Sequence, residues 1–163
     1  MKSILVNYTG SKGGGAEYAY EMTKALSNQG FKIYAIISEK VSNVDLWDNL
    51  GIEKIVKIKT YNNVFGLFIR FFVIKFLQRK RIMNQLPYNF DYIYIPMEQP
   101  LTKAINNFYK KTKVLLTVHD VDPHSGDSKI AHLIGGLLNF NIRKNSYRVL
   151  LLSKIFGSVN NFV

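Results

Sequence analysis

The sequence predicts a doubly wound α/β domain, with a mostly parallel sheet and helices on both faces, and two patterns carry that expectation. Short runs rich in β-branched residues recur along the chain, and helical periodicity fills the gaps between them, the alternation that builds βαβ units. The runs are also mostly apolar throughout, as strands covered on both faces are.

Six strands are expected: Ser3 to Asn7, Lys32 to Ser38, Ile55 to Lys59, Tyr92 to Pro96, Val114 to His119 and Arg148 to Ser153. After the first, Ala16, Ala19, Met22, Thr23 and Leu26 form one inward helical stripe that stops at Gly30. After the fifth, Ile130, Leu133, Ile134, Leu137 and Leu138 form another. No internal repeat or Pro/Ser-rich linker divides the chain, so residues 1–163 read as a single domain. Only Lys154 to Val163 follow the sixth strand, too few residues for another crossover, so the domain is expected to be incomplete at its C-terminal end.

A chain of 163 residues buries roughly 70% of its unfolded surface, enough for a substantial core. Cysteine is absent, which excludes disulfides, thiolate zinc sites, iron–sulfur clusters and a cysteine nucleophile. Met1 to Asn7 is too short for a signal sequence, and the chain reads as cytoplasmic. Lys and Arg number 22 against 11 Asp and Glu, a net +11 that suits nucleic acid, an anionic membrane or a phosphate-rich substrate. Arg70, Lys75, Arg79, Lys80 and Arg81 fall in or beside the most apolar stretch, Val64 to Leu77, which favours lipid over nucleic acid. That stretch is too interrupted by charge to span a bilayer. It suits either an interfacial helix, peripheral on the inner face of the plasma membrane, or a buried crossover helix with its charges pointing outward.

Ligands of open parallel sheets bind beyond the carboxyl ends of the strands, so the loops after strands one and five are the places to look for a site. The first contains Gly13, Gly14 and Gly15 and runs directly into a helix, an arrangement that lets backbone amides approach a phosphate. It matches neither a dinucleotide fingerprint, which would need a small residue at Tyr18, nor a P-loop. A plain turn with a glycine cap is the alternative. The second loop, Thr117 to Asp127, holds His119, Asp120, Asp122 and His124. Three readings stay open there: a metal set of His119, Asp120 and His124, a His–Asp general base, or turn and cap residues before Pro123. His132 reads as structural.

These pieces resemble retaining GT-B glycosyltransferases of family 4. Gly14-Gly15-Ala16-Glu17 is similar to the Gly-Gly-x-Glu turn that follows their first strand. His119-Asp120 followed by Pro123-His124-Ser125-Gly126 resembles their fifth-strand segment, and Val149 to Lys154 resembles a late strand. The resemblance implies a Rossmann-like, acceptor-side N-terminal half. It also implies that Gly13, Gly14 and Gly15 lie on the donor diphosphate side, that His119 is close to the transferred sugar, and that Asp120 orients that loop. The family's donor half carries Glu-x7-Glu, and here no two glutamates stand eight apart. The implied function is therefore half of an enzyme that moves a sugar from a nucleotide-sugar donor to a glycan or lipid-linked acceptor. It would be inactive alone, with the nucleotide sugar as co-substrate and no cofactor or metal. Two other readings are an NAD-type nucleotide-binding domain, with Glu39 on a ribose hydroxyl, and a non-catalytic membrane- or partner-binding module.

Overall fold

The structure is a computed structural model, and it describes residues 1–118 and 146–151. The helix expected over Ile130 to Leu138, the His119 to Asp127 loop, His132, and Ser153 with Lys154 lie outside the described residues.

Among the described residues six parallel strands form one sheet: β1 (Ser3–Tyr8), β2 (Lys32–Ser38), β3 (Lys54–Ile58), β4 (Tyr92–Ile95), β5 (Lys113–Val118) and β6 (Arg148–Leu151). Their spatial order is β3-β2-β1-β4-β5-β6, the doubly wound order, and all six expected strands are present. The ends move by a residue or two where pairing decides them. β1 continues to Tyr8 because Tyr8 pairs with Ile37, and β3 begins at Lys54 because Lys54 pairs with Tyr34. β5 is described as far as Val118, the last described residue before His119.

Strand alternation divides the core into two layers. On one face Leu5, Ile36, Ile93 and Leu116 pack against the helical segments α3 (Val64–Phe72), a π-helical stretch (Val73–Gln78), α4 (Arg79–Met83) and α5 (Thr102–Asn106). On the other, Ile4, Val6, Ala35 and Ile37 pack against α1 (Gly14–Asn28) and α2 (Val44–Asp48). The α1 stripe faces inward as its spacing requires, with Ala16, Ala19 and Thr23 buried and Met22 and Leu26 half-buried. Gly30, at φ +80°, ends it by taking the left-handed conformation that closes the turn. The outer strand β3 carries Lys54 and Lys57 on exposed positions, charges that discourage pairing with a second sheet.

Candidate functional site

The order of the strands creates a crevice where chain direction reverses, between β1 and β4, and the turn from β1 into α1 lies at its carboxyl end. Gly13 caps α1 with φ +77° and ψ −170°, a conformation open essentially to glycine alone, and it brings no side chain to the first-turn amides. Gly14 is exposed with open space around it, whereas Gly15 is buried. A β-carbon on Gly15 would lie 2.6 Å from Met97 Sδ and 3.1 Å from the Tyr8 hydroxyl. The three glycines therefore do different things: Gly13 sets the backbone, Gly14 leaves the helix start open, and Gly15 lets the loop after β4 close against the turn. Without a side-chain cap, the positive end of the α1 dipole is available to an anion.

The turn is braced from the other side by the loop between β2 and α2. Ser42 N–H donates to the Ser11 carbonyl at 2.8 Å. Asn43 Nδ2 donates to the Ala16 carbonyl at 3.2 Å, and Trp47 Nε1 donates to Asn43 Oδ1 at 3.2 Å. Trp47 is fully buried and meets Tyr20 edge to face, with ring centres 6.0 Å apart.

Beneath the turn, Asn7 is fully buried at the end of β1, and its Nδ2 donates to Asn106 Oδ1 at 2.8 Å and to the Thr102 carbonyl at 3.2 Å. Among the described residues Asn7 Oδ1 and Thr9 Oγ1 are buried with no hydrogen-bond partner, an uncommon state for protein interiors. The Tyr94 hydroxyl lies 3.1 Å from Thr117 Oγ1 and 3.5 Å from the Tyr18 hydroxyl, joining α1, β4 and β5. Burial raises the Tyr94 pKa well above the usual phenol range and pushes Tyr8 up to about 12, so both rings stay neutral around pH 7.

The structure thus brings Gly13, Gly14 and Gly15 together with Tyr8, Tyr18, Tyr94 and Met97. His119, Asp120 and His124 lie outside the described residues, and Val118 is the last described residue before them. Among the described residues no three His, Asp or Glu side chains gather as a metal set would. Glu39 lines a groove with Lys57, Lys59 and Arg81 at the β3 edge. Sequence reasoning missed the loop after β4 and the Asn43–Trp47 brace. The signal it could have used is the polar pair Asn7 and Thr9 closing an otherwise apolar strand.

No family profile and no curated protein matches the sequence. Solved structures are similar in fold. Acinetobacter baumannii MurG superposes with a TM-score of 0.60 at 13% identity, over 98% of this chain and 44% of that one. Anabaena Alr3699/HepE, solved in complex with UDP and glucose, gives 0.54 at 10% identity over 91% of this chain and 38% of its own. MT0777 gives 0.52 at 11% identity over 92% and 84%. The chain spans less than half the length of the MurG and HepE chains it resembles. Its fold is a Rossmann-like α/β domain similar to those of GT-B glycosyltransferases.

Proposed function

We propose that this chain is the acceptor-side domain of a family 4 type GT-B glycosyltransferase, moving a sugar from a nucleotide-sugar donor to a lipid-linked or polysaccharide acceptor. One observation carries the reading: an uncapped glycine turn stands at the switch point of a sheet whose fold is similar to that of a protein solved with UDP and glucose. In this reading the enzyme works in the cytoplasm, peripheral on the inner face of the plasma membrane.

The amides of Gly14 and Gly15, at the conformation set by Gly13, donate hydrogen bonds to the donor diphosphate. They stabilise the charge that builds on the leaving phosphate as the sugar departs. The neutral Tyr8 and Tyr94 add no competing negative charge beneath that turn. His119 follows β5 directly and hydrogen-bonds the transferred sugar, and Asp120 orients that loop. Base and ribose contacts come from a second, donor-binding domain. Holding donor and acceptor together supplies roughly 7–11 kcal/mol of the barrier, so one wall alone gives no turnover.

The test is transfer of radiolabelled sugar by this chain alone and by a protein that joins it to a donor-binding half. The joined protein transfers sugar and the chain alone does not, and His119→Ala lowers turnover of the joined protein by a large factor while its melting temperature is unchanged. Transfer by the chain alone, or normal turnover with His119→Ala, would contradict the proposal.

A further inference from the structure

Five of the six described strands open on a cation or directly behind one: Lys2 before β1, then Lys32, Lys54, Lys113 and Arg148. All five are exposed, and in a parallel sheet they stand together at its amino end, opposite the glycine turn. Strand alternation sends them to two faces. Lys32 and Lys54 lie on the face of Ile36 and Val56, whereas Lys2, Lys113 and Arg148 share the face of Ile4 and Leu115. Tyr92, which pairs with Ile4 on one side and Lys113 on the other, lies on that second face between them.

Aromatic rings hold these cations in place. The Lys2 ammonium lies over the Tyr92 ring at 5.6 Å, the Lys113 ammonium over the Tyr147 ring at 4.6 Å, and the Arg148 guanidinium over the same ring at 5.8 Å. Tyr147 N–H donates to the Val114 carbonyl at 2.8 Å, which ties that ring to β5. The result is a row of alternating cation and ring that crosses β1, β4, β5 and β6. The negative face of each ring attracts a cation, so side chains that would otherwise wander are kept at set places. Tyr147 is still 52% exposed, which leaves ring surface for a ligand. Lys2, Lys113 and Arg148 make no ion pair among the described residues, and Asp91, beside Lys2, commits its Oδ2 to Ser3. Between Glu98 and Asp120 the chain carries four lysines and no acid.

The strand register sets the spacing of the row. Lys2 lies two strands and two residues from Lys113, and Lys113 one strand and two residues from Arg148, so their α-carbons are about 12 Å and about 8 Å apart. Both steps climb the sheet in the same direction, which makes the row nearly straight. A straight row of widely spaced cations fits a linear polymer whose charges are as far apart. Nucleic acid carries a charge roughly every 3.4 Å along each strand, far denser than this row. An acidic peptide would need an open strand edge for its backbone, and the row crosses β4 and β5, which are paired on both sides. A second copy would bring like charge against like. A polysaccharide of alternating acidic and neutral sugars meets each condition. Its carboxylates pair with the cations, and the partly positive C–H face of a sugar ring packs on the negative face of a tyrosine.

We infer that the row of Lys2, Tyr92, Lys113, Tyr147 and Arg148 binds an acidic polysaccharide with one carboxylate per disaccharide repeat. Lys2, Lys113 and Arg148 pair with successive carboxylates, and Tyr147 both positions two of those cations and offers its ring to the sugar between them. This inference stands apart from the proposed sugar transfer, since binding at the amino end of the sheet requires no donor, glycine turn or second domain.

The test is fluorescence polarisation of an end-labelled hyaluronan oligosaccharide, which alternates one acidic and one neutral sugar, titrated with the 163-residue chain. Binding is expected, weakening as salt rises, with none to labelled dextran, a neutral glycan. Lys113→Gln and Arg148→Gln are each expected to lower affinity about two- to fivefold, and the two together about tenfold. Tyr147→Leu is expected to lower it as well although no charge is removed, because Lys113 and Arg148 lose the ring that positions them. Lys40→Gln, at the carboxyl end of the sheet, leaves it unchanged. All these side chains are exposed, and unchanged circular dichroism and melting temperature separate loss of binding from loss of fold. Absence of hyaluronan binding, a Lys113→Gln, Arg148→Gln chain that binds like the parent, or a Tyr147→Leu chain that does so, would overturn the inference. Tighter binding of oligothymidylate or of polyglutamate, lost in the same double variant, would assign the row to nucleic acid or to an acidic protein in its place.

Discussion

The indole Nε1–H of Trp47 donates to Asn43 Oδ1 at 3.2 Å, and the same asparagine donates from Nδ2 to the Ala16 carbonyl in the first turn of α1. The only tryptophan of the chain is therefore one side chain removed from the glycine turn. Asn43→Ala removes the acceptor of a buried indole and the brace on Ala16 together. A loss of about 1–3 kcal/mol in urea unfolding is expected, with a red shift of Trp47 emission in the folded state. Unchanged emission and stability would mean that the turn holds itself without this bridge.

Gly13 and Gly14 are adjacent and exposed, yet substitution is expected to act on them in opposite directions. Gly14→Ala meets no atom within 4 Å and keeps an ordinary helical backbone, so it should stabilise the fold by roughly 0.4–1 kcal/mol through the unfolded state. Gly13→Ala must hold a side chain at φ +77° and should cost about 1–3 kcal/mol. Thermal melts of the two variants measure the difference, and equal melting temperatures would contradict the backbone assignment.

Asp91 and Ser3 clasp the starts of β4 and β1. Asp91 Oδ2 accepts from Ser3 N–H at 2.7 Å and from Ser3 Oγ at 3.0 Å, and these bonds hold its pKa below the ordinary carboxylate value. A pKa lowered by folding contributes stability that is present above the unfolded value of about 4 and fades as pH falls through the folded value. Asp91→Asn should therefore be less stable than the parent at pH 7, and the gap should close on acidification. A gap independent of pH would show that the charge contributes nothing.

The sheet was legible in the sequence because the strands are mostly apolar runs, and pairing moves their ends by only a residue or two. The short helices α2 and α5 were not. Each has five residues, too short for a periodic stripe, and they form because Trp47, Leu101 and Ile105 have a core to enter. The glycine turn was visible as a composition, but the separate tasks of Gly13, Gly14 and Gly15 were not. That of Gly15 depends on Met97 and Tyr8 approaching it, and that of Gly13 on a backbone φ of +77°. The Val64 to Arg81 segment was ambiguous for a similar reason. A helix this apolar serves a core or an interface, and only the burial of Leu67 and Ile74 beside the exposure of Phe68 and Phe72 separates its faces.

The most direct test of the central claim, that the turn from β1 into α1 receives a nucleotide diphosphate, is a titration of the ¹⁵N-labelled chain with UDP and, separately, with NAD. Perturbation of the amides of Gly13, Gly14, Gly15 and Ala16 by UDP is expected, saturating at a millimolar Kd or about −4 kcal/mol, because the proposed function assigns the base and ribose contacts to a second domain. The Gly13→Ala chain should show no such perturbation. Tight binding of NAD with shifts that extend to Glu39, or UDP shifts that leave the glycine turn untouched, would contradict it.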